Sequence, residues 1–127
     1  MEARALVGYR LLKIATLYMV IALAGGIFMG MSKDHTLATL HSHVALLGWT
    51  TMALTGLAYV ALPPLSRSAL SKGHFWLHNL GLPIMIVSLG CYAYGYTAAE
   101  PIIGLGSIIT FLALLLFAVN VFRNAKG

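Results

Sequence analysis

Four long apolar segments, separated by short polar connections, leave few folds open to this chain. A helix needs about 20 mostly apolar residues to cross a bilayer, because each residue rises about 1.5 Å through roughly 30 Å of hydrocarbon. Four segments reach that length, at residues 11–31, 40–62, 75–96 and 102–122. Connections this short favour antiparallel neighbours. We therefore predict an all-α integral membrane protein, a single domain over residues 1–127 built as an up-down four-helix bundle.

The composition favours lipid over nucleic acid as the main partner. Hydrophobic residues make up 60% of the chain and charged residues only 9%, with a formal net charge of +5. A nucleic-acid binder gathers its basic residues in a patch or stripe on a polar surface, whereas here they fall between the apolar segments. We therefore expect the lipid bilayer to be a partner and nucleic acid not to be one. Cys91 is the single cysteine, which excludes an intramolecular disulfide.

The basic residues also predict an orientation, since cytoplasmic connections carry the excess of Lys and Arg. With the N-terminus inside, Lys33 is the one basic residue outside, and seven lie inside: Arg4, Arg10, Lys13, Arg67, Lys72, Arg123 and Lys126. We therefore expect a multi-pass protein of the bacterial cytoplasmic (inner) membrane with both termini in the cytoplasm.

Histidine is the residue type that carries candidate chemistry. Asp, Glu, Lys and Arg are absent from the middle of the four segments, which disfavours a proton-coupled transporter. Five histidines lie near the ends of the second and third segments: His35, His41 and His43 on the predicted outer side, His74 and His78 on the inner side. Neutral imidazole is a metal ligand and a natural axial ligand of haem iron.

His41 and His43 are the leading candidates for ligands. Two residues on a helix correspond to about 200°, so the two rings point to nearly opposite sides and do not share one iron easily. The His41 face continues through Gly48 and Gly56 and is smooth enough for a porphyrin. This geometry alone slightly favours His41.

His74 and His78 are four residues apart and therefore share one helix face, the spacing of paired metal ligands. They form a second candidate metal site, in which His78 is the stronger ligand. Met29 and Met31 end the first segment near the level of His41, and thioether sulfur suits haem or Cu(I). Copper is therefore the alternative to haem.

A resemblance to a known superfamily rests on two stretches of the second and third segments. His41-Ser42-His43-Val44-Ala45-Leu46-Leu47-Gly48-Trp49 is followed by Tyr59 and Pro63-Pro64, and His74-Phe75-Trp76-Leu77 opens the next segment. These stretches resemble helices two and three of the haem-copper oxidase catalytic subunit superfamily, which includes the large subunit of nitric oxide reductase. The His-x-His-x4-Gly-aromatic pattern also looks like the NnrS family.

The resemblance implies a haem b protein in which His43, by its distance to Trp49, is the axial ligand, with His41 next. The copper-ligand histidines of the oxidases and their tenth helix have no counterpart here. In that superfamily twelve helices form three arcs of four, so the resemblance also implies a homo-oligomer, a trimer in which each chain supplies one arc.

Three functional hypotheses follow. The first is haem b binding for electron transfer, with a respiratory electron donor as partner, or for binding of a small gas such as nitric oxide or oxygen. Its candidate cofactor-binding residues are His43, His41, His78, Gly48 and Trp49, and its candidate metal ligands are His43, His41, His78 and His74. The second is a copper-binding or oxidase-assembly protein without haem. The third is a structural subunit without any cofactor.

Overall fold

The computed structural model describes residues 2–126, and their side chains from residue 6 onward. Four helices in this range are long and apolar enough to cross a membrane, which confirms the prediction of an all-α chain with four membrane-spanning segments. The first helix covers Glu2–Ser32, the second Ala38–Ala61, the third Ala69–Ala93 and the fourth Glu100–Asn124. Between them lie a short helix, Pro63–Arg67, and a 3-10 turn, Thr97–Ala99.

The second helix changes its winding partway along its length. It is α-helical over Ala38–His43, π-helical over Val44–Thr51 and α-helical again over Met52–Ala61. A π-helical stretch is rare and commonly marks a functional site, because its wider turn displaces backbone carbonyl groups and side chains from their α-helical positions. This stretch begins directly after His43.

The third helix begins six residues before the predicted start at Phe75. Ser68 caps it, since the Ser68 hydroxyl accepts a hydrogen bond of 3.2 Å from the backbone N–H of Leu70. Position 74 therefore lies in the second turn of the helix and not at its mouth. His74 and His78 are both fully buried.

The helices pack as two antiparallel pairs joined along a seam. Gly8, early in the first helix, contacts Gly56, late in the second, and Gly81 of the third helix lies against Thr110 of the fourth. The first and fourth helices make almost no direct contact among residues 2–126. The four helices thus follow one another in an open row, and the second and third form the seam.

The outer surface of this row is apolar. Large side chains on all four helices are more than half exposed, among them Leu17, Leu54, Val87 and Phe111. Exposed apolar surface on this scale is foreign to a water-facing monomer and normal against lipid. The buried core lies between the helices and includes Leu11, Met52, Tyr59, Leu65 and Leu82.

Candidate functional site

His41 carries a ring nitrogen that the rest of the chain does not satisfy. Its Nδ1 atom is buried and has no hydrogen-bond partner, the one such side-chain atom within residues 6–126. The ring lies against Gly25 and Gly26 of the first helix, where a β-carbon on Gly26 would come within 3.3 Å of the imidazole. Since unpartnered buried polar atoms are costly and rare, this nitrogen is a candidate contact for a ligand.

An apolar cavity of about 200 Å³ adjoins His41. Met29 lines it together with Ile21, Phe28, Leu40 and Val44. Met29 itself is buried, whereas Met31 is 81% exposed and does not line the cavity. The structure therefore brings together His41 and one of the two methionines that the sequence indicated.

His43 is held in one tautomer by its own helix. Its Nδ1 atom lies 2.8 Å from the carbonyl oxygen of Thr39, which can only accept a hydrogen bond. Nδ1 must therefore carry the proton, and the lone pair of the ring resides on Nε2. Histidine ligands of metals commonly donate their second ring N–H in this way, which fixes the ring and raises the basicity of the ligating nitrogen.

The other predicted residues of the second helix have different surroundings. The ring of Tyr18 covers Gly48, since a β-carbon on Gly48 would lie 2.6 Å from the Cγ atom of Tyr18, and Leu11 and Leu12 cover Gly56. The first helix therefore fills this face, and a contact between Gly48 and a cofactor stays a prediction. Trp49 is half-buried against the core, and its role at a cofactor stays a prediction.

His35 lies apart from these residues. It is exposed in the connection between the first and second helices, and its Nδ1 atom is 3.3 Å from the carbonyl oxygen of Lys33. Its position makes it a useful control for any experiment on His41 and His43.

A continuous hydrogen-bonded chain crosses the seam between the second and third helices. The Tyr59 hydroxyl lies 2.9 Å from Nδ1 of His74, and Nε2 of His74 lies 3.0 Å from Nδ1 of His78. Nε2 of His78 lies 3.1 Å from the carbonyl oxygen of Leu47, inside the π-helical stretch. We call these four residues the seam ladder.

The direction of every hydrogen bond in the seam ladder follows from its end at Leu47. A carbonyl oxygen only accepts, so Nε2–H of His78 donates to it. With both rings neutral, Nδ1 of His78 accepts from Nε2–H of His74, and Nδ1 of His74 accepts from the hydroxyl of Tyr59. Both imidazoles are therefore Nε2–H tautomers, and none of their four nitrogens is left unpaired.

Phe117 of the fourth helix encloses the ladder from the other side. Its ring meets Tyr59 edge-on at 5.6 Å between centroids and lies 5.5 Å from the ring of His74. Apolar side chains thus surround the hydrogen bonds of the ladder. The low dielectric of such surroundings strengthens hydrogen bonds.

These contacts bear on the predicted metal site at His74 and His78. The shared face expected from their spacing is present, but their nitrogens already pair with each other, with Tyr59 and with Leu47. A metal ion would have to displace one of these hydrogen bonds. No group of three or more His, Cys, Asp or Glu side chains within residues 6–126 is placed to hold a metal ion, and ligation by this pair stays a prediction.

Sequence reasoning missed two members of the ladder. Tyr59 enters the sequence-based prediction only through the resemblance to the oxidase superfamily, and the Leu47 carbonyl carries no signal in the sequence. The i, i+4 histidine pair on the third helix and a tyrosine on the neighbouring helix were the available signs. The comparisons with known proteins add nothing to these residues, since no family model, curated protein or solved structure matches this chain.

Proposed function

We propose that this chain is a haem b-binding protein of the bacterial cytoplasmic membrane that serves electron transfer or the binding of a small gas. The observation that carries the proposal is the hydrogen bond of 2.8 Å from Nδ1 of His43 to the carbonyl oxygen of Thr39. It leaves Nε2 of His43 as a lone-pair donor on a fixed ring, as an axial haem ligand requires. The resemblance of residues 41–49 to the haem-copper oxidase superfamily supports the same residue.

An apolar cleft at the same end of the molecule supports the site. It has a volume of about 730 Å³ and is lined mainly by residues of the second and third helices, including Leu40, Val87 and Gly90. Leu40 precedes His43 by about one helical turn. The cavity beside His41, at about 200 Å³, lies below the roughly 300–1,000 Å³ of most cofactor pockets. The cleft is the roomier of the two, and we place the porphyrin there, with His43, about one turn beyond Leu40, as its ligand.

Bound haem would supply the redox or gas chemistry, and the residues of this chain would hold it. His43 would provide a neutral nitrogen, while the apolar cleft would exclude water from one face of the porphyrin. That chemistry would be electron transfer from a respiratory donor if a second side chain also bound the iron, and binding of nitric oxide or oxygen if none did.

We further propose that three copies assemble into a twelve-helix homotrimer. The four helices form an open row, in which the first and fourth helices do not pack against each other. Three such rows can therefore close into a ring. Such a ring would give the exposed His43 side of each chain a neighbour. A molecular mass in detergent equal to one chain would contradict the trimer and leave the haem proposal standing.

The haem proposal is tested by expressing the protein with an ample haem supply and measuring haem per chain in the purified protein. We expect His43→Ala to lose most of the haem and His35→Ala, the exposed control, to keep it. His41→Ala and His78→Ala report on the other candidate ligands. Full haem content in all four variants would contradict the assignment of the site.

Copper is the second candidate because Met29 and the unpartnered Nδ1 of His41 border one cavity. Thioether sulfur and imidazole nitrogen together suit Cu(I). In this case Met29→Leu should abolish stoichiometric Cu(I) binding, whereas Met31→Leu, a matched change at an exposed side chain, should not. Equal effects of the two substitutions would contradict a copper site at His41.

A further inference from the structure

A second cavity lies at the opposite end of the molecule from His41 and His43. It has a volume of about 360 Å³ and is lined by the first helix, the short helix and the start of the third helix. Arg10 of the first helix and Lys72 of the third both border it. Two cations from different helices therefore border one cavity, which is an arrangement that attracts an anion.

The chain offers little negative charge to neutralise these two cations. It has only three acidic residues, Glu2, Asp34 and Glu100. Asp34 follows the far end of the first helix and Glu100 starts the fourth, so both belong to the end of the bundle that carries His41. Glu2 is the one acidic residue at the end that carries Arg10 and Lys72, where the sequence has seven basic residues. The balancing charge there must therefore come largely from outside the chain.

The remaining walls of the cavity suit an amphipathic ligand. Leu6 and Val7 supply apolar surface at the start of the first membrane-spanning helix, and Trp76 is 70% exposed at the edge. Exposed tryptophan beside Lys and Arg is typical of the headgroup level of a membrane. An apolar wall next to two cations fits a lipid better than a free anion.

The polar floor of the cavity is held in place by the chain itself. The hydroxyl of Ser71 donates to the backbone carbonyls of Ser66 and Ser68, at 3.0 and 2.7 Å. Ser71 is 1% exposed, so these bonds tie the short helix to the third helix behind Lys72. The cavity wall is thus built before any ligand arrives.

We propose that this cavity binds the phosphate group of an anionic phospholipid, with Arg10 and Lys72 as its cationic contacts. The phosphate would lie between the two side chains, and an acyl chain would run along Leu6 and Val7. Basic pockets between membrane-spanning helices bind anionic headgroups on this principle. The site is independent of the haem proposal, because it lies at the other end of the helices.

The test measures lipid retention by native mass spectrometry of the full-length protein released from micelles. The micelles contain phosphatidylglycerol, cardiolipin or phosphatidylcholine, and a separate arm contains glycerol 3-phosphate. The variant Arg10→Gln/Lys72→Gln removes both cations of the cavity. Its matched control, Lys13→Gln/Arg67→Gln, removes two exposed cations that do not line the cavity.

We expect the wild-type protein and the control variant to retain the two anionic lipids in preference to phosphatidylcholine. The cavity variant should bind them about thirtyfold more weakly, since each cation contributes about 1 kcal/mol to an anionic headgroup. Lys72→Arg should retain the lipid, which distinguishes lost charge from lost folding. Equal retention by the two double variants, or equal retention of phosphatidylcholine, would overturn the proposal. Binding of glycerol 3-phosphate as tight as that of the lipids would assign the site to a soluble phosphate instead.

Discussion

The Nε2 atom of His74 lies 3.0 Å from the Nδ1 atom of His78, so the two imidazoles, one helical turn apart, share one hydrogen bond inside the protein. This bond is the middle of the seam ladder, which starts at Tyr59 and ends at Leu47. Because both ends belong to the second helix and both histidines to the third, the ladder connects the two helix pairs where few other polar contacts join them.

Replacing His78, a member of the ladder, should destabilise the fold more than replacing a histidine outside the ladder. His78→Ala leaves the Nε2–H group of His74 and the carbonyl of Leu47 without partners in a buried site. Each unsatisfied group costs about 1–3 kcal/mol. We expect the free energy of unfolding in mixed micelles to fall by about 2 kcal/mol or more. His35→Ala is the control, and an unfolding curve of His78→Ala that coincides with the wild type would exclude this role.

Tyr59→Phe tests the hydroxyl end of the ladder separately from packing. The phenylalanine ring keeps the edge contact with Phe117, but Nδ1 of His74 loses its donor. We expect a loss of about 1 kcal/mol, and a non-additive effect when Tyr59→Phe is combined with His78→Ala, since residues of one network are coupled. Nitrogen NMR shifts should report Nε2–H tautomers for both wild-type histidines. Additive unfolding energies together with Nδ1–H tautomers would refute the ladder.

Gly106 and Gly104 form a matched pair on the fourth helix. A β-carbon on Gly106 would lie 2.6 Å from the backbone nitrogen of Met85, whereas one on Gly104 would meet no atom within 4 Å. Gly106→Ala must therefore push the third and fourth helices apart, at a cost of about 1–3 kcal/mol. Gly104→Ala should be neutral or slightly stabilising, because alanine is the better helix former. Similar unfolding energies for the two variants would contradict the close approach at Gly106.

The connection after the first helix should respond to acid through Asp34. Its carboxylate accepts hydrogen bonds from the hydroxyl and the backbone N–H of Thr36, which hold the pKa of Asp34 below its usual value. A lowered pKa means that this turn is stabilised above the unfolded-state pKa of about 3.9 and loses that stabilisation as the pH falls through the lower folded-state value. The amide proton of Thr36, followed by NMR, should shift in that range. Asp34→Ala should abolish the shift.

The four-helix architecture could be predicted from the sequence, because a segment of about 20 apolar residues between polar connections has the length of one helix across a bilayer. The start of the third helix could not be predicted, because its cap at Ser68 lies in a polar stretch that resembles a connection between helices. The predicted segment therefore starts at Phe75, six residues after the observed start of the helix at Ala69.

The interior of the site was harder to predict than the helices. The spacing of His74 and His78 indicated a shared face, but it could not show that the partners are a tyrosine and a backbone carbonyl. The smooth face of Gly48 and Gly56 indicated close approach without saying what approaches, and the first helix occupies it. Small residues in a sequence indicate that something packs closely against them, but they do not identify the group that does so.

Binding of haem b through His43 is decided by the reduced-minus-oxidised absorption spectrum of the purified wild-type protein, recorded at known protein concentration beside His43→Ala. We expect a Soret band and haem b signals in stoichiometric proportion to protein in the wild type, and their loss in the variant. A folded wild-type protein that was produced with ample haem and shows no haem absorption would contradict this expectation.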